Sequence, residues 1–267
     1  FNARTFFQVG PVQPSHQNHY GISGGGQLDE RSGLSLDFSQ RKIRGMVNGN
    51  VLAPLPSERT PLGTDPLLRA IAARYLAAFP AVLPNRLDFD PRALNTNAPQ
   101  VIDETRGTIS ADRRLSDRLR LAFQYSANHQ AVDAFQLVAG QNPDSDVGSQ
   151  TGRLSLLRAD VHSAWDSGFA FQRTRSELAP EPNSVGAYVR TGYLIEELGP
   201  SFEYPIARAQ NTFRAGSQYG RLDGRHRYVA GAEFHRYQLN GIESRNQRPT
   251  VWFGNNFGRS SIDNLRY

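Results

Sequence analysis

Cysteine is absent from the 267 residues, which excludes disulfides, thiolate metal sites and thiol redox chemistry. Lysine is almost absent: Lys42 stands alone, and the remaining basic residues are arginines. No long apolar run is present either. The longest candidate, Leu67 to Leu83, is broken by Arg69, Arg74 and Pro80, whereas a spanning helix needs ~20 consecutive apolar residues. The chain opens at Phe1 with no Met-led basic stretch, so no signal peptide is read in it. A phosphate-binding glycine loop, an HExxH motif and a convincing carboxylate pair are missing as well. No catalytic residue, cofactor or metal site is therefore expected, and no enzyme.

Charge of one sign is not concentrated anywhere. The formal net charge is +5, but the arginines are interleaved with acids, as in Asp112, Arg113, Arg114, Asp117 and Arg118. A nucleic-acid footprint gathers basic residues on one face or along one helix, so no nucleic-acid partner is expected. What the chain does have is glycine and aromatics: Gly 24, Phe 15 and Tyr 10, within an apolar fraction of only 38%. Small and aromatic residues interleaved with polar ones suit half-exposed strands better than thick helical layers.

The clearest pattern is Leu115 to Gln130. Leu119, Leu121, Phe123 and Tyr125 share one parity, with Arg118, Arg120, Gln124 and Ser126 on the other; a period of two is a strand. Similar strands are read at Tyr20 to Leu28, at Leu34, Leu36 and Phe38, and weakly at Thr105 to Asp112. Further strands follow at Thr151 to Val161 and Ala164 to Ser176, the first with a parity change near Leu157 that suggests a bulge or a misplaced boundary. Phe213, Ala215, Ser217 and Tyr219 match Tyr228, Ala230, Ala232 and Phe234 across Asp223-Gly224, a hairpin signal. A last strand is read at TVWFG, after Arg248.

Between strands, tight polar turns alternate with long excursions: about Arg44 to Glu104 (42–104 at its widest), Asn128 to Gln150 and Leu178 to Arg208. In the first, Asp65 is an N-cap and Pro66 the first helical residue. A helix is expected near 66–79, with Leu68, Ile71, Ala72, Tyr75 and Phe79 on its apolar face. Short turns at one end and long loops at the other are the habit of outer-membrane barrels. The expected fold is thus all-β: an antiparallel up-and-down meander forming a partial transmembrane barrel over 1–267, with one short amphipathic helix in a long loop. Lipid-facing residues on this reading are Leu34, Leu36, Phe38, Leu119, Leu121, Phe123, Tyr125, Phe213, Tyr219, Tyr228 and Phe234. A soluble or surface-attached all-β ligand-binding module remains the alternative.

Three local motifs are weaker. Gly21-Ile22-Ser23-Gly24-Gly25 matches G-x-S-x-G, but lacks the apolar strand before and the helix after that a nucleophile elbow requires. Residues 142–148, Asn-Pro-Asp-Ser-Asp-Val-Gly, space oxygen ligands like a calcium loop, with glycine one place late and Arg153 where a glutamate belongs. His16 and His19 are three apart without a third ligand.

The stretches FNARTFFQVGPVQP, QRKIRGMVNGNVLAPLPSERTPLGTDP, ALNTNAPQ, VDAFQLVAGQNPD and PIARAQNTFRAGSQYGRLDGRH resemble the Oar-like class of TonB-dependent outer-membrane receptors. The resemblance implies a barrel of about 22 strands closed by a plug, with uptake of a nutrient driven through a TonB-type coupling protein. Plug, coupling box and signal peptide are not found here, so the resemblance implies an internal fragment of the barrel. Its implied partners are the outer-membrane lipid bilayer, the plug and coupling protein through other parts of the receptor, and an unidentified extracellular ligand.

Overall fold

In the computed structural model, the described residues are 15–181, 184, 186–190, 197–201, 203–243, 249–252 and 260–267. They form an eight-stranded antiparallel sheet in the order β1-β2-β3-β4-β5-β6-β8-β9. The strands are β1 (His16–Asp29), β2 (Ser32–Leu52), β3 (Ala93–Ser116), β4 (Leu119–Asp133), β5 (Asp144–Ala159), β6 (Ser163–Ala179), β8 (Ile206–Asp223) and β9 (His226–Glu243). A separate parallel pair joins β7 (Tyr188–Arg190) to β10 (Thr250–Trp252). Two helices complete the fold, α1 (Pro66–Ala77) and α2 (Ser261–Arg266). The expected strand TVWFG reduces to Thr250–Trp252 and lies outside the main sheet; its last residues and the opening FNARTFFQVGPVQP fall outside the described residues.

At one end the strands reverse tightly. Asp29 closes the first turn by accepting from the Arg31 amide at 2.7 Å and from the Ser32 hydroxyl at 3.2 Å. The last turn is Gly224-Arg225, with Gly224 at φ +58°, the left-handed region that glycine reaches without a Cβ clash. At the other end lie the long connections, but they are shorter than expected. β2 runs on to Leu52 and β3 starts at Ala93, so the 42–104 insertion is strand at both ends and connection only over 53–92. Likewise β4 and β5 continue to Asp133 and from Asp144, leaving only 134–143 of the Asn128 to Gln150 excursion as loop.

Hydropathy concealed these extensions because their pairing is polar. Asn48 Nδ2 donates to the side-chain oxygens of Asn95 and Asn97 at 3.0 Å each, and Asn95 Nδ2 returns a bond to Asn48 at 2.9 Å. Asn85, from the connection, bonds both the amide and the carbonyl of Asn95 at 2.9 Å. Pro99 is tolerated in β3 because β4 pairs only as far as Val101; beyond that point β3 has a free edge where a missing N–H costs little. The bulge expected near Leu157 is absent, since β5 pairs with both neighbours without a register shift. Leu157 simply belongs to the opposite face.

The connections pack into one cap. Its core joins Val51, Ala53, Leu76, Phe79 and Leu94 to Val138, Ala187, Val189, Leu198, Ile262 and Leu265, which come from four separate parts of the chain. Val51 and Leu94 are cross-strand partners through which the cap sits on the sheet. Asp65 caps α1 by accepting from the Leu67 and Leu68 amides at 2.8 and 3.0 Å. The helix turns Ala72 and Leu76 inward while Leu68 and Ile71 stay exposed; its buried line is therefore offset from the expected stripe, because docking beside Phe79 fixes its rotation. α2 is tied to the same connection: Arg266 Nε donates to the Thr60 carbonyl at 2.9 Å and the Leu62 amide to the Arg266 carbonyl at 2.8 Å.

Two outcomes follow from the cap. Phe79→Ala should cost about 3–5 kcal/mol locally and open 53–92 to limited proteolysis while far-ultraviolet circular dichroism keeps its strand signal; unchanged protease resistance would refute the shared core. In α2, the Ser260 hydroxyl, 2.7 Å from Asp263 Oδ2, and then Arg266 hold the Asp263 carboxyl below its ordinary value of 3.8. A lowered folded value means that this contribution is complete above pH 3.8 and disappears as pH falls through the folded value. In Ser260→Ala the carboxyl should titrate closer to 3.8 by carbon-detected NMR, and an unmoved midpoint would count against the bond.

Candidate functional site

Directly paired residues in an antiparallel sheet point to the same side, so the register assigns every strand side chain to one of two faces. The first face carries Tyr20 and Ile22, Leu34, Leu36 and Phe38, Ile109 and Ala111, then Leu119, Leu121, Phe123 and Tyr125. It continues with Leu154 and Leu156, Trp165, Phe169 and Phe171, Phe213 and Tyr219, and Tyr228 and Phe234. All eleven residues expected to meet lipid are thus brought together on one face, spread over β2, β4, β8 and β9. The remaining strands supply Ile22, Ile109, Leu154, Leu156, Trp165, Phe169 and Phe171. Their parity was readable, but no partner strand was known to align it with.

This face is uncovered. Leu36, Phe38, Phe123, Phe169, Tyr219, Tyr228 and Phe234 are between 42% and 64% exposed, values that a packed core does not leave on large apolar side chains. Toward the loop end the same face becomes charged, with Lys42, Arg44, Asp103, His129, Asp146, Arg175 and Glu177. Arg44 Nη1 lies 2.7 Å from Asp103, and His129 Nε2 lies 2.8 Å from Asp146.

The apolar band does not follow the hydrogen-bonded rows. The row that starts with Ile22 and Phe38 runs through Gly107, Ala127, Gln150, Arg173 and Asn211 to Gln238: large and apolar on the first two strands, small on the next two, polar on the last four. On β9 the apolar residues lie nearer the short turns, from Tyr228 to Phe234. The band therefore crosses the sheet obliquely, stepping by roughly one residue per strand. With a 3.3 Å rise and a 4.8 Å strand spacing, that is an inclination of roughly 35°.

The second face is lined mainly by small polar and charged side chains. Ser23, Asp37, Thr108, Ser126, Thr151, Gln172 and Thr212 form one row across it, ending at Tyr237. Its charges are mostly paired: Arg120 with Asp112 at 3.0 Å, Arg214 with Glu233, and Arg41 with Glu104 at 2.6 Å. Its apolar residues include Ile43, Ile102, Val132 and Val147 toward the loop end and Leu157, Leu222, Val229 and Leu239 elsewhere. The cap docks on this face at its loop end, because Val51 and Leu94 share its parity.

The minor motifs resolve as strand. Ser23 lies inside β1 with no helix after it, so no nucleophile elbow is formed. Asp144 and Asp146 open β5; Asp144 accepts from the Ala134 amide at 3.0 Å, and the calcium-like spacing is an extended segment. His16 and His19 project to opposite faces of β1. Among the described residues no group of three or more His, Asp or Glu side chains is placed to hold a metal, and no helix is long and apolar enough to cross a membrane.

No protein-family model and no curated protein sequence matches the chain. A solved structure does: the outer membrane transporter YddB from Escherichia coli, at a TM-score of 0.54 and 12% identity over 90% of this chain. The chain spans 28% of the length of that protein. At this identity the likeness is one of fold: an antiparallel, sheet-rich architecture that recurs in part in an outer-membrane transporter.

Proposed function

We propose that the sheet is a section of the wall of a transmembrane barrel, belonging to an outer-membrane receptor of the TonB-dependent, Oar-like kind that takes up an unidentified nutrient. The observation that carries this reading is the uncovered apolar band, continuous over eight strands and inclined to them by roughly 35°, the tilt at which barrel strands cross a bilayer. On this reading the apolar face meets the outer-membrane lipid and the polar face lines the lumen. Strands of 21 and 24 residues, β2 and β3, exceed the ~9–11 needed to span and project beyond the membrane on the side of the cap. On this reading the cap lies outside the cell, where ligand is captured. Charged residues above the band, such as Lys42 and Arg175, mark its outer border. Plug and coupling protein would act on this wall from other parts of the receptor, and the chain itself performs no bond chemistry.

The contrasting reading is a soluble or surface-attached all-β module. It requires something to cover the exposed aromatic band, and no element among the described residues does so. Expression in an outer membrane followed by alkaline carbonate extraction separates the two, because only a spanning sheet stays with the lipid. Within the membrane reading, Leu121→Arg should cost about 2–4 kcal/mol near the bilayer midplane and reduce the folded fraction seen as heat-modifiable gel mobility. Gln124→Arg, on the other face of the same strand, should assemble normally. Equal assembly of both variants would refute the assignment of faces.

A further inference from the structure

The polar face holds a recess of about 290 Å³ lined by Gln17, His19, Ser39, Arg41, Glu104 and Arg106. It lies where β1, β2 and β3 run side by side: His19 stands opposite Arg41, and Arg41 opposite Glu104. Gly21, opposite Ser39, lets β1 and β2 approach closely beside the recess: a Cβ there would lie 2.7 Å from the Phe38 carbonyl oxygen. The charges here are not balanced one to one. Arg41 Nη2 is 2.6 Å from one oxygen of Glu104, and Arg106 Nη2 is 2.7 Å from the other, so two guanidiniums share one carboxylate.

Donors therefore exceed acceptors. A guanidinium carries five N–H groups, both oxygens of Glu104 are engaged, and Arg41 Nε is buried without an acceptor. Glu104 is 7% exposed, whereas the side chain of Arg106, whose Nε and Nη2 both donate to Glu104 Oε1 at 3.2 and 2.7 Å, is 63% exposed at the rim of the recess. Elsewhere on this face Arg120 and Arg214 each have a carboxylate of their own. A net positive recess with a forked, planar donor at its rim matches an oxyanion, which guanidinium binds through two parallel hydrogen bonds.

We propose that this recess binds the oxyanion group, carboxylate or phosphate, of an acidic solute. The inference rests on this face being the lumen, and it assigns the acidic group of the transported ligand to Arg41 and Arg106. Glu104 holds the two guanidiniums side by side, and His19 and Ser39 border the bound group.

The test is calorimetric titration of the detergent-purified full chain with inorganic phosphate and, separately, acetate. Saturable binding of at least one probe is expected, weakened at least tenfold by Arg106→Gln and by Arg41→Gln. Arg153→Gln, which removes a charge from the same face outside the recess, should leave it unchanged. Glu104→Gln should tighten binding at least tenfold by removing the competing carboxylate, so the proposal stays exposed even where an arginine variant fails to fold. The probe that binds more tightly identifies the group. Absence of saturable binding for both probes, or equal losses in Arg153→Gln and Arg106→Gln, would overturn the proposal. Carbonate extraction of the same protein reports on the membrane reading independently, so the two can fail separately.

Discussion

Everything described here depends on the hydrogen-bonded register of the sheet. A side-chain period of two means that a slip of one residue in any strand would move its aromatic residues to the polar face and its arginines to the apolar one. β2 through β9 hold that register with one shift, at Arg114/Ser116 beside the β3–β4 turn. A second lies at Gln27/Asp29 in β1. Both irregularities sit next to turns, where extra residues are absorbed without disturbing the faces. The separation of an aromatic face from an arginine-bearing one is thus a backbone property first and a side-chain property second.

The inclination of the apolar band adds a second constraint. A soluble sandwich selects its core residues by which strands stack on the opposing sheet, so its apolar patch follows the shape of that sheet. A bilayer selects by height alone, and tilted strands each enter the apolar slab at a different residue. Under the membrane reading proposed above, the stepwise descent from Ile22 on β1 to Tyr228 on β9 is what the second kind of selection would leave in a sequence. Beyond the band the same face turns to Lys42, Arg44 and Asp146 within a few residues, the thickness that the proposed membrane reading requires.

Much of the fold was legible in the sequence, and for identifiable reasons. Leu119 to Tyr125 and Leu34 to Phe38 alternate cleanly, Asp-Gly marks the last hairpin, and Asp65-Pro66 marks the start of α1. What escaped was written in another chemistry. The upper halves of β2 and β3 are held by asparagine pairs, which hydropathy reads as loop, and the calcium-like spacing at 142–148 runs into a strand from Asp144, whose acidic residues occur at alternate positions because strands alternate. The helix face was displaced because Leu68 and Ile71 fit an amphipathic stripe equally well until Phe79 fixes the docking. The recess around Glu104 was invisible in principle: Gln17, His19, Ser39 and Glu104 meet only through pairing between three strands, and no spacing in the chain encodes that meeting.

The cap has an implication for how such a surface can vary. Residues from 53–92, 134–143, 180–205 and the C-terminal segment contribute to one core, so none of these connections is a free module. Val138 shares its core with Phe79, and Ile262 with Leu76. Where exposed loops diverge independently, each can be exchanged for a foreign sequence by matching its two ends. Here a graft has to carry its share of the common interior, and the changes such a cap tolerates are coordinated ones across several connections or those at outward residues such as Leu67 and Leu87.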